Sequence, residues 1–338
     1  MIFGIIGCGD LAVRSAKKKL PGTHPGEYVQ AANGFFWQHF HAGDYDSISA
    51  IIDQLNLALA HEPNDLRTTA HLGFVHIWAL AERQNRLYPD PAIIEQVSLA
   101  RRYFEETISM DVDDPRILGF LADMTMEEGA HLGNDKEKTE GYFMGLRSIR
   151  EWPQFNKFTI GYGFSRFDTA SASFKEGLKW QYESMNDCAC ELKGAAGMSD
   201  SAKTAIVFES KTPKVKRACA DTWIAPHNLE GYFLNMGDML VKSGQWVKAI
   251  DVYALAKIAP AYSQWPFKDT LEARILNARE NVAVFNRPVD ERNLSRQAVM
   301  MSASGYSCMG CHKMSTSELV TFGNKQPPTS YYYIKSIK

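Results

Sequence analysis

Two cysteines and a histidine stand together in GYSCMGCHKM, residues 305–314, as Cys308-x-x-Cys311-His312. Thiols three positions apart lie on one side of a helical turn. The histidine four positions after the first thiol points the same way. This arrangement suits a porphyrin held covalently. Each thiol adds to one vinyl group, and the imidazole binds the iron from the same side. The spacing is the attachment signature of a c-type haem. Gly310 removes bulk where the backbone meets the ring, and Gly305-Tyr306-Ser307 supplies a turn and an N-cap. The expected cofactor is one covalent haem c, with Cys308 and Cys311 as thioethers and His312 as proximal ligand.

Two other chemistries use the same letters. A redox C-x-x-C should follow a strand and open a long helix. A zinc site needs two further ligands. Cys188, Cys190 and a histidine could supply them, although Cys-x-Cys is not the usual knuckle spacing.

The second axial position must be filled from elsewhere. Met314 is too close to His312 to cross to the far face of the ring, so a distal ligand comes from earlier in the chain or from another chain. The histidines available are His24, His39, His41, His61, His71, His76, His131 and His227. His227, in WIAPHN, and His76, in TAHLGFVHIWAL, are the distal candidates. The competing roles are backbone binding for His227 and core packing for His76. His39 and His41 point to different sides of a helix. Met300 and Met301 could pack on the ring edge, with ordinary core packing as the alternative.

The elements that must position these residues read as helices, because strand signals are scarce. Residues 228–260 carry Gly237, Gly244, Trp246, Ala249, Tyr253, Ala256 and Pro260. Small residues let two antiparallel helices approach, aromatics fill the gap, and the proline ends the second helix. This pattern resembles a tetratricopeptide repeat. Leu72-Gly73 and Leu118-Gly119 repeat its first-helix signature, and Ala100-x-x-x-Phe104 repeats its second. The resemblance implies an all-α fold of stacked helical hairpins, to which the motif adds a C-terminal haem-binding helix. Each hairpin leaves an apolar face that a neighbour must cover.

The expected organisation has five parts. Residues 1–27 are an N-terminal segment in which Ile-Ile-Gly-Cys8 resembles a bacterial lipobox, making Cys8 a candidate for lipidation. The alternative is an ordinary buried or disordered cysteine. Residues 28–150 form irregular hairpins. Residues 151–226 break the pattern and hold Cys188, Cys190 and Cys219; they read either as an insertion or as a hairpin with long loops. Cys188 or Cys190 is expected to pair with Cys219 in an oxidising compartment. Residues 227–300 give the clearest hairpin and one amphipathic helix over 268–285. Residues 301–338 hold the haem segment and a tail, SYYYIKSIK, whose tyrosines suit a contact surface.

Composition narrows the function. Hydrophobic residues make up 45% and charged residues 22%, enough to build a core. The net charge of −2 gives no bulk attraction to nucleic acid. No apolar run is long enough to span a bilayer, so membrane association would rest on a lipid anchor at Cys8. The likeness of the motif to c-type cytochromes implies a periplasmic, outer-surface or extracellular location in a bacterium. Its late position is similar to that in cytochromes c′, which carry the haem on the last helix of a bundle. The leading expectation is a monohaem cytochrome on a tetratricopeptide-like scaffold. It would transfer one electron with a partner protein or with neighbouring copies, stacked if need be into a filament. The alternatives are a protein-binding module whose haem is structural or senses gas or redox state, and a haem oxidoreductase subunit. No nucleotide loop, G-x-S-x-G or H-E-x-x-H stands in the sequence, which favours a carrier over a catalyst.

Overall fold

The computed structural model describes residues 26–83, 93–110, 114–188, 213–219, 223–224, 227–288, 299–323 and 325–327. Cys8, His24, Cys190 and most of the tyrosine-rich tail lie outside them. Among the described residues there are fifteen α-helices and no strand, and the helices pack as neighbouring pairs.

The first half runs through six helices: α1 (Glu27–Ala42), α2 (Ile48–His61), α3 (Leu66–Ala81), α4 (Ile93–Met110), α5 (Pro115–His131) and α6 (Asp135–Glu151). Each packs on its successor. Their starts are written in the sequence. Asp65 accepts a hydrogen bond from Thr68 N–H and caps α3, and Asp114 accepts from Arg116 N–H and caps α5. Pro115 opens α5 at a position where its missing N–H costs nothing.

The second half holds α7 (Pro153–Phe164), α8 (Ala172–Cys188), α9 (Pro213–Cys219), α10 (Leu229–Lys242), α11 (Trp246–Leu255), α12 (Lys268–Leu276), α13 (Ala278–Phe285), α14 (Met309–His312) and α15 (Thr316–Phe322). Within residues 151–226, α7 and α8 pack closely on each other. A Cys188–Cys219 disulfide, with Sγ–Sγ 2.03 Å, ties the end of α8 to α9. The helix expected over 268–285 is two helices. At Asn277 the backbone leaves helical geometry (φ −105°, ψ 20°), while its side chain donates to the Ala273 carbonyl at 2.8 Å. Asparagine competes for helix carbonyls in this way.

The small–aromatic pattern has a direct physical meaning. A Cβ on Gly237 of α10 would stand 2.2 Å from the Tyr253 ring of α11. A Cβ on Gly73 of α3 would stand 2.5 Å from the Phe104 ring of α4. At both positions a glycine lets an aromatic ring lie against the facing helix backbone.

Two large apolar clusters result. One gathers buried residues of α7, α8 and α10 to α13, including Phe158, Tyr232, Met236 and Tyr253. The other gathers α1 to α3, including Phe36, Phe40, Ile51 and Trp78.

Candidate functional site

The motif sits on the seam between those clusters. Cys311 belongs to the first, Met309 to the second, and Cys308 packs against the second. Helix α14 is a single turn, closed by His312 N–H to the Cys308 carbonyl at 3.1 Å. One turn of helix does not hold itself, so distant parts of the chain hold it. Glu82, at the end of α3, accepts the Met309 N–H at 2.7 Å. The Tyr162 hydroxyl of α7 donates to the Ser307 carbonyl at 2.8 Å. Asn228 N–H donates to the Cys311 carbonyl at 3.3 Å, and Met314 N–H to the His41 carbonyl at 2.9 Å.

Both motif thiols are free, whereas Cys188 and Cys219 are joined. Burial pushes the Cys308 and Cys311 thiols well up from the usual thiol range. Both act electrostatically on Tyr162 of α7. Cys311 Sγ lies over the backbone of Gly231, where a Cβ would stand 2.6 Å away.

Three imidazoles converge here: His312, His41 from α1 and His227 just before α10. Burial drives all three down, to about 3 for His312 and about 4 for His41 and His227, and the positive forms of His41 and His227 further disfavour charge on His312. All three are neutral at pH 7, and each offers a lone pair. The His312 ring packs on Phe40 at 4.8 Å, and its Nδ1 is buried without a hydrogen-bond partner.

His227 and His41 differ in which nitrogen is free. His227 Nδ1 lies 3.1 Å from the Asn228 carbonyl, which assigns the proton to Nδ1 and leaves the lone pair on Nε2. That Nε2 is buried and meets no hydrogen-bond partner. A backbone bond on one ring nitrogen commonly fixes an imidazole whose other nitrogen binds a metal. His41 has the reverse arrangement, with Nε2 on the Trp223 carbonyl at 3.1 Å and Nδ1 unpartnered.

The structure does not bring His76 to this place. His76 faces α4, with Nδ1 2.7 Å from Gln96 and its ring stacked on Tyr103 at 5.6 Å, the packing role weighed for it above. His39 pairs with Asp44, His61 stacks on Tyr28, and His131 pairs with Glu127. Met301 packs against Gly310 of the motif, and Met300 lines a neighbouring cleft.

That cleft has a volume of about 620 Å³ and lies at the C-terminal end of α7. Sites for small molecules and cofactors usually span roughly 300–1,000 Å³. Arg166, Asp123 and Glu127 supply its charged wall, and Phe164, Phe285 and Met300 its apolar wall. Arg166 pairs with Glu127 at 3.5 Å, and burial raises Asp123 to about 6. The cleft reaches the motif through Ala81, whose carbonyl accepts the Ser307 hydroxyl at 3.3 Å, and Arg166 acts electrostatically on Cys308.

Chemically, the site offers two unreacted thiols on one side of a turn, a neutral imidazole beside them and a second neutral imidazole with a free Nε2. Among the described residues no three His, Cys, Asp or Glu side chains are placed to hold a bare metal ion, and Cys188 is committed to its disulfide. Sequence reasoning missed Glu82, Tyr162 and Glu230, whose buried carboxyl acts electrostatically on Cys311, and it passed over His41. His41 alone had a local signal, since it follows the apolar run Phe35-Phe36-Trp37 and Phe40 on α1. No protein-family model matches the chain, and no curated protein matches it.

Proposed function

We propose that the chain is a monohaem c-type cytochrome on a tetratricopeptide-like scaffold that works outside the bacterial cytoplasm. It passes single electrons to and from a partner protein, or between neighbouring copies. Cys308 and Cys311 would carry the haem, His312 would ligate its iron, and His227 would complete the coordination. Bound there, haem c supplies a one-electron couple. The residues around it set the potential through burial, ligand identity and hydrogen bonding.

One observation carries the reading. His312 ends a turn that presents two free thiols, is neutral at pH 7, and lies near His227, whose Nδ1 is held by the Asn228 carbonyl and whose Nε2 is buried without a hydrogen-bond partner. The disulfide between Cys188 and Cys219 supports an oxidising compartment, where haem c is attached.

The chain's own residues prepare the site. Phe40 and Phe158 fix the planes of His312 and His227, packing at 4.8 Å and 4.2 Å. Tyr162 and Glu82 hold the turn that carries the thiols.

The cleft that reaches the motif through Ala81 favours a second reading, a haem that binds a small ligand for sensing or catalysis. Absorption spectra of protein from a host that matures haem c separate the two. Sharp α and β bands on reduction, unmoved by carbon monoxide, support electron transfer. Bands that shift with carbon monoxide support the second reading. The absence of a Soret band sinks both.

A further inference from the structure

Glu82 is buried to 0% exposure directly against the motif. Its Oε1 accepts the Met309 N–H at 2.7 Å, and its Oε2 accepts the Trp78 indole N–H at 2.9 Å. Neither partner is charged, and among the described residues Glu82 forms no salt bridge. We propose that Glu82 is a proton acceptor coupled to the redox site, taking up one proton from solvent when the site gains one electron. The inference rests on the haem reading above and extends it from electron transfer to coupled electron and proton transfer.

The groups facing Glu82 are few. Lys313 is the cation that acts on it across space, and Cys308 is its titratable neighbour in the turn. Tyr45 packs edge-on against the Trp78 ring. Arg83, next in the chain, donates to the Leu80 carbonyl. On the far side of the motif a second buried carboxyl, Glu230, acts on Cys311. Glu82 itself touches the backbone of the turn rather than an imidazole.

Burial pushes Glu82 up to about 7, so its proton is exchangeable near neutrality. An electron arriving in a low-dielectric core makes a nearby carboxylate costlier and its protonated form easier to keep. The balance is simple. One electron comes from a one-electron donor, a partner protein or an electrode. One proton comes from water, and one O–H bond forms on the carboxylate. Ala81 and Arg83, on either side of Glu82, line the cleft, which brings solvent within one residue of the carboxyl.

The test is a spectroscopic potential titration of the haem-loaded wild type, Glu82→Gln and Glu230→Gln across the pH range around neutrality. The wild-type potential should fall as pH rises, approaching about 59 mV per pH unit, the one-electron equivalent of a tenfold change in proton concentration. Glu82→Gln should be nearly flat, and Glu230→Gln should keep the slope. A Soret band with a flat wild-type potential, or an unchanged slope in Glu82→Gln, overturns this inference alone. No Soret band in the wild type removes the haem reading and this inference with it. If Glu82→Gln does not fold, infrared difference spectra of the wild type at an electrode decide. A carboxylic acid C=O band appearing on reduction supports the proposal, and its absence overturns it.

Discussion

At the scale of single residues, the arrangement at His227 makes a sharp prediction. The Asn228 carbonyl holds the proton on Nδ1, so Nε2 faces inward as a free lone pair. In haem-loaded His227→Ala the reduced bands should shift on adding carbon monoxide, while those of the wild type should not. His76→Ala should leave the spectrum unmoved and cost only stability, about 1–2 kcal/mol for a lost hydrogen bond and ring stack. A carbon monoxide shift in His76→Ala, with none in His227→Ala, would reverse the assignment. The site was only partly legible from the sequence. Cys308, Cys311 and His312 are neighbours in the chain, so their spacing alone is enough to suggest the chemistry proposed for them. The side chains that hold them come from far away. Tyr162 bonds to Ser307 across 145 positions and Glu82 to Met309 across 227. No local pattern marks a glutamate that will reach so far, and the ordinary expectation for a glutamate at a helix end is solvation.

At the scale of elements, glycine–aromatic contacts and one cross-link organise the hairpins. Gly237→Ala places a methyl group 2.2 Å from the Tyr253 ring, and that ring also donates a hydrogen bond to buried Asp238 at 2.6 Å. The ring cannot move away without breaking that bond. The substitution should therefore cost about 1–3 kcal/mol, read as a lower urea midpoint at unchanged slope. Gly133→Ala, in a turn where no atom lies within 4 Å, tests the argument from the other side. Its penalty should come from the positive φ of 65° alone. Opening the Cys188–Cys219 link, which spans 31 positions, should cost about 2–4 kcal/mol and loosen α9 from α8. Cys188→Ser measured without reductant reads that loss directly. These elements were readable because their signal is local. The small residues, aromatics and closing proline of 228–260 recur within one helical pair. The exception teaches the limit. The apolar rhythm of 268–285 runs through Asn277 unbroken, but rhythm does not record that its side chain captures the Ala273 carbonyl.

At the scale of the whole molecule, buried titratable groups of opposite kind surround the motif, and their signs oppose. In the haem-free chain His41, His227 and His312 are lowered from 6.5 to about 4, about 4 and about 3. Below pH 6.5 the unfolded chain binds protons that these rings refuse. Their contribution to stability is whole above 6.5 and lost as pH falls toward 4 and 3. Glu82 and Glu230 are raised from 4.5 to about 7, and Asp123 from 3.8 to about 6. Here the folded chain holds protons more tightly, so their contribution is whole at acid pH and lost as pH climbs to those values. The two sets offset each other between about pH 4.5 and 6.5. Urea midpoints of the haem-free protein should form a plateau there, fall steeply below it and decline slightly above it. A midpoint that climbs steadily from pH 4.5 to 6.5 would contradict this balance. The position of the thiols carries one more consequence. They lie buried on a seam that closes only when α3, α7 and the start of α10 have come together around the turn. Under the haem proposal, an enzyme that joins haem to Cys308 and Cys311 would have to reach them in a chain that has not yet closed. Ligation would then come first and docking of the two halves second, and the closed fold would lock the cofactor in.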